Sequence, residues 1–291
     1  MRHEEHEGRL ATTNTKVTKG RTPRKLPPKL IGFRGVLPFV IFVAFVAIDV
    51  FVFSVAARAQ NAPPPYTPPK LANGQPDIQG IWQVLDTAAW DLQDHGASLG
   101  VPAGRGVVVG NEIPYKPEAL ARKKENDAKR ATLDPESKCY LSGVPRITFM
   151  PFPFQIVQQP DKVNILYEYN HTIRQIYMNG NPHPSGHIDW WMGDSRGRWE
   201  GNTLVVDSVD FGEETWFDRA GNYHSDELHV VERYTPITPY HMRYEVTIED
   251  PKVFTRPWNM SAILYRRIDP NVELLEYECY AYQLEDQFTK K

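Results

Sequence analysis

The sequence predicts an all-β domain, an antiparallel meander closed into a β-barrel, and three observations carry that reading. From Ile147 onward, apolar residues recur with period two rather than 3.6. The segments marked out in this way are short and are separated by turn residues. Nine or ten of them follow one another with little room for crossover helices, and closure into a barrel removes the unpaired edges of such a meander.

The domain opens with Pro76-Asp77-Ile78-Gln79-Gly80-Ile81-Trp82, a short strand ending in G-x-W, which looks like the opening of lipocalin-type barrels. Residues 86–113 are Gly-rich and read as irregular. Residues 117–130 place Pro at a first helical position and combine an early acid with strong helix formers and little apolar face, so one surface helix is expected there. Further strands are expected at 154–158, 163–169, 173–179, 197–200, 203–210, 228–235, 242–249, 262–267 and 274–280. Gln159-Pro160-Asp161-Lys162 reads as a turn. Glu200-Gly201-Asn202-Thr203 reads as a two-residue hairpin loop with Gly first, the type II′ arrangement.

The N-terminal part is different in kind. Nine Lys/Arg precede residue 37 against only Glu4, Glu5 and Glu7, and the 21 residues 37–57 are apolar except for Asp49. That length suits a membrane span better than a cleavable core. Ala57-Arg58-Ala59 is nevertheless a small-x-small site directly before Gln60, and Asp49 would cost ~2.5–3.5 kcal/mol at mid-bilayer. Residues 1–59 therefore read as a signal peptide or a membrane anchor, residues 60–75 as a Pro-rich linker of polyproline type, and residues 76–291 as the barrel domain. The expected location is exported, periplasmic or extracellular, or else anchored in the inner membrane, with membrane contact only through residues 37–57.

Charge changes sign at the same boundary. Ten basic and four acidic residues up to Ala59 leave the rest of a chain of net charge −3 with −9, which excludes a nucleic-acid footprint. Both cysteines, Cys139 and Cys279, lie in the exported part. A bridge between them would close a loop of about 140 residues, worth ~4–5 kcal/mol on the chain-entropy model; the alternative is two unpaired buried thiols.

Two motifs, GRWEGNTLVVD at 197–207 and HSDELHVVER at 224–233, make the chain resemble a family of exported bacterial proteins, the likeness running from about Pro76 to Cys279. The resemblance implies export and brings no activity, ligand or catalytic residue. Asp is usual in that family where Asn202 stands, and His is common where Asp194 stands.

Strand alternation supplies the sharpest candidate. In 228–235, Leu228, Val230 and Tyr234 share a face with Glu232, while His229, Val231 and Arg233 share the other; Met242, Tyr244, Val246 and Ile248 form the matching apolar face of 242–249. If that face is interior, Glu232 points inward and needs a partner, for which Arg174, alternating with Ile176, is the candidate. The pair reads either as a structural closure of the barrel or as part of a site. Glu232, His229 and His224 are candidate acid–base residues by type. His183, His187 and Asp189 are candidate metal ligands, weighed against ordinary loop histidines. Arg174, Trp191, Trp199, Tyr234, Tyr244 and Trp258 are candidate ligand-binding residues, weighed against an ordinary aromatic core. No cofactor follows from these residues, and no G-x-S-x-G, P-loop or dinucleotide fingerprint is present. The leading functional expectation is an exported barrel that binds a small, largely apolar molecule in or at its mouth. The alternatives are a hydrolase or isomerase using the His/Asp/Glu set with or without a metal, and a structural or interaction module.

Overall fold

The computed structural model describes residues 66–281 and 284, apart from Leu99 and His187. The expected signal or anchor and residues 60–65 of the linker lie outside the described residues. Among the described residues, no helix is long and apolar enough to cross a membrane.

Nine strands close into a barrel: β1 (Gly80–Val84), β2 (Phe154–Gln158), β3 (Lys162–Tyr167), β4 (Ile173–Tyr177), β5 (Asp194–Glu200), β6 (Thr203–Val209), β7 (His229–Thr238), β8 (His241–Glu249) and β9 (Trp258–Arg266). Each strand pairs with its sequence neighbour, and β9 returns to pair with β1, so no edge is left open. Every pairing is antiparallel except β4 with β5, which run parallel and share only Ile176↔Ser195 and Tyr177↔Arg196. A parallel step needs a long crossover, and residues 178–193 provide it. The expected tenth strand at 274–280 is absent for a related reason. With β9 already on β1 there is no edge to receive it, and the segment instead packs Tyr277 on Phe152 and Tyr169, with ring centroids 4.5 and 5.5 Å apart.

The alternation read from β7 and β8 is the observed one. Val230, Glu232, Tyr234, Met242, Tyr244 and Ile248 are fully buried and fill the interior with Trp82, Phe154, Ile165, Ile176 and Val206. The β5–β6 turn has Gly201 at φ 61° with Asn202 outside the positive-φ region, the φ signature of type II′. Buried side chains thus occupy the barrel interior.

Residues 86–113 are irregular, but they belong to the core. Ala88, Leu92, Val107, Val108 and Ile113 are buried, and Val108 forms a β-bridge with Met260 of β9. Helix α1 (Pro117–Ala128) is a surface helix with Pro at its start, burying only Ala119 and Asn126. It is followed by the short helices α2 (Arg130–Leu133) and α3 (Arg146–Phe149), all four residues of the latter being buried. Arg146 is compensated by a two-bond pair with Asp134, at 2.8 and 3.0 Å, and by Glu136 at 2.5 Å. Cys139 and Cys279 are disulfide-bonded with Cα atoms 5.4 Å apart, tying the C-terminal segment to the loop before α3.

The G-x-W strand opens the barrel through a tight contact. Arg266 lies over the Trp82 ring at 4.5 Å and donates to the Gln79 carbonyl at 2.6 Å. Gly80 has φ 129°, and a Cβ there would sit 2.6 Å from Arg266 Nη1. We expect Gly80→Ala to destabilise the domain by ~1–3 kcal/mol, because the residue would adopt a backbone region almost confined to Gly. An unchanged urea midpoint would show that β1 can relax.

Candidate functional site

Two arrangements of polar residues flank the β4–β5 seam, one inside the barrel and one outside it. Inside, Arg174 of β4 and Glu232 of β7 form an ion pair whose side chains are 2% and 0% exposed. Arg174 Nη1 donates to Glu232 Oε1 at 3.0 Å, and Nη2 donates to Oε2. The remaining guanidinium hydrogens face Ser195 Oγ, at 3.1 and 3.0 Å, and Ser208 Oγ at 2.9 Å. The Tyr234 and Tyr244 hydroxyls donate to Glu232 Oε1 at 2.9 and 2.6 Å. Burial, and after it the Glu232 charge, pushes both tyrosine pKa values well up, so both remain donors. Burial alone would lower the Arg174 pKa, but the charge and hydrogen bonds of Glu232 raise it instead. Glu232 thus accepts from the guanidinium and two tyrosine hydroxyls, and Arg174 donates to Glu232 and two serine hydroxyls.

Outside, a chain of alternating acids and histidines runs across β5 to β8. Arg196 holds Asp194 through two bonds at 2.6 and 2.9 Å. His183 joins Asp194 at 2.6 Å and Asp207 at 3.3 Å, and His229 joins Asp207 at 3.0 Å and Glu249 at 3.2 Å. Asp194 thus anchors the crossover loop through His183.

Between the two arrangements opens a cleft of about 790 Å³. It exists because β5 meets β4 only at the far end of that strand, leaving Ile173, Arg174 and Gln175 without a strand partner on that side. Ile173, Tyr177, Trp190, Trp191 and Met192 supply apolar walls, with Asp194, Ser195 and Arg196 along one margin. The crossover loop that forms the opposite wall is held by Trp190 N–H on the Asp210 carbonyl at 3.0 Å and by Trp191 edge-on to Tyr140 at 5.1 Å.

The structure does not gather the expected acid–base set. Glu232 is interior, whereas His229, an odd number of residues away on the same strand, lies on the outer face. His224 sits in a third place, the loop core between β6 and β7, tilted against Phe217 with ring centroids 5.2 Å apart. Its Nδ1 donates to the Ser225 carbonyl at 2.9 Å, so Nε2 accepts from the Thr215 hydroxyl at 2.7 Å and the ring is neutral. Of the expected metal ligands, His183 is engaged by carboxylates as described, His187 lies outside the described residues, and Asp189 is exposed. Among the described residues, no group of three His, Cys, Asp or Glu side chains converges to hold a metal. Of the expected ligand-binding residues, Arg174 and Trp191 reach the cleft. Tyr234 and Tyr244 belong to the buried network, Trp199 packs half-buried on the core, and Trp258 is buried edge-on to Phe217 and Phe254. Trp190 belongs to the aromatic set that the sequence offers as pocket walls, whereas Ile173, Tyr177, Met192, Asp194 and Arg196 were not singled out as binding residues from sequence. The only signal pointing to them was the Trp-Trp-Met-Gly run at 190–193 in a long loop.

His224 yields a pH prediction. Burial lowers its pKa below the ordinary 6.5. The unfolded chain therefore binds a proton that the folded chain refuses, and the stability this group contributes is present above about pH 6.5 and lost as pH falls through the folded value. Asp218, pushed up to about 7 by burial and by Asp91, has the opposite sign. The difference between wild type and His224→Gln isolates the histidine: the variant's Tm deficit should be largest near neutral pH and shrink towards pH 5. A pH-independent deficit would sink the assignment.

No family model, no curated protein and no solved structure matches the chain.

Proposed function

We propose that this is an exported binding protein whose ligand, a small and largely apolar molecule, occupies the cleft at the β4–β5 seam rather than the barrel interior. The observation that carries the proposal is the cleft itself. Its volume of about 790 Å³ falls in the range of small-molecule sites, and its walls are aromatic and aliphatic with a few polar groups at the margin. Buried side chains occupy the barrel interior, which supports the seam over the barrel's centre as the ligand's place. Export rests on the basic, apolar and small-x-small pattern of residues 1–59, on the disulfide and on the resemblance to exported bacterial proteins.

Solvent extraction of protein purified from its native host, followed by mass spectrometry, tests this reading. The expected result is a small organic molecule in near-stoichiometric amount that is lost from Trp191→Ala protein of unchanged fold. Stoichiometric metal without an organic molecule would instead favour the enzyme alternative.

A further inference from the structure

We infer that the cleft ligand is a neutral, planar aromatic compound carrying a hydrogen-bond acceptor such as a carbonyl oxygen; this rests on the cleft reading above. Three charged residues line the cleft, Arg174, Asp194 and Arg196, and each is already paired. Arg174 is neutralised by Glu232, and Arg196 by Asp194. The Arg196 guanidinium also lies 4.8 Å from the Tyr177 ring centroid, so one face of that ring is taken as well. A charged ligand would find no unspent counter-charge and would be desolvated without compensation.

Spare donors are present in the lining. The indole N–H groups of Trp190 and Trp191, which can only donate, make no hydrogen bond among the described residues. Asn179 and Gln175 accept through their side-chain oxygens from the Asn181 N–H at 3.1 Å and the Tyr177 hydroxyl at 3.3 Å, and their NH₂ groups make no hydrogen bond among the described residues. Apolar walls select a flat ring system, paired charges reject ions, and spare donors select an acceptor oxygen. A site of donors discriminates strongly against an analogue that lacks the acceptor, because the donors are then left unpaired.

Equilibrium dialysis of the full-length chain with three tricyclic probes of one skeleton tests each part: fluorenone (neutral ketone), fluorene (no acceptor) and fluorene-9-carboxylate (anion). Fluorenone should bind at least about tenfold more tightly than the carboxylate and several-fold more tightly than fluorene. Trp191→Phe, which keeps a ring wall but removes the N–H, should reduce the preference for fluorenone over fluorene; Gln175→Leu, at a strand-surface position, makes the same test should the first variant fold poorly. Equal or tighter binding of the carboxylate overturns the neutral-ligand inference while the cleft reading stands. Equal binding of fluorene and fluorenone overturns the acceptor. Failure of all three to bind overturns the cleft reading, and this inference with it.

Discussion

Glu232→Gln is expected to lower stability by ~3–5 kcal/mol, because it leaves the Arg174 guanidinium charged and unpaired at a buried position. For a domain of this size that is a fall of ~6–20 °C in Tm. The environment explains the magnitude. Arg174, Tyr234 and Tyr244 all donate to Glu232, and the substitution replaces one of its two acceptor oxygens with an NH₂ donor that the guanidinium, a donor only, cannot accept. Replacing both Arg174 and Glu232 by Leu should cost much less than the sum of the single changes, since no charge is then stranded. Urea denaturation of the two single variants and the double variant measures the coupling. A Glu232→Gln protein of near-native stability that has lost ligand binding would mean that the pair serves the site and not the fold.

Reduction of Cys139–Cys279, or Cys279→Ser, should cost up to ~4–5 kcal/mol on the chain-entropy model, because the bridge closes a loop of 140 residues. The C-terminal segment has other attachments, namely Tyr277 on Phe152, the Asn170 N–H on the Tyr277 carbonyl at 3.1 Å and the Leu275 N–H on Glu168 at 2.8 Å. Its release in the native state should therefore be partial, while the effect on the unfolded chain is complete. The expected signature is a lower Tm with native-like circular dichroism at 25 °C. Equal Tm values for oxidised and reduced protein would show that the bridge adds nothing to stability.

Much of the barrel is legible in the sequence because period-two alternation is a local property. Burying one face of β7 forces Glu232 inward and His229 outward, whatever the neighbouring strands do. The same argument separates those two residues as a catalytic pair, since an odd spacing on one strand places them on opposite faces. The α1 helix and the β5–β6 turn are equally local, set by Pro117 and by Gly201.

What the sequence determined by itself is the alternation of the strands, the inward carboxylate with Arg174 on a matching face, and the change in charge at residue 59. Only the tertiary structure opened the cleft at the β4–β5 seam. The parallel β4–β5 step depends on a crossover loop finding Asp194, Asp207, Phe211 and Tyr140, contacts between residues far apart in sequence that no periodicity reports. Closure of β9 on β1 likewise removed the edge that 274–280 would have needed as a strand. The filled interior draws buried apolar side chains from eight of the nine strands and from the irregular segment 86–113, with Trp199 of β5 packed against them, and it moved the candidate site from the barrel's centre to its shortest seam, where β4 and β5 share only two residue pairs.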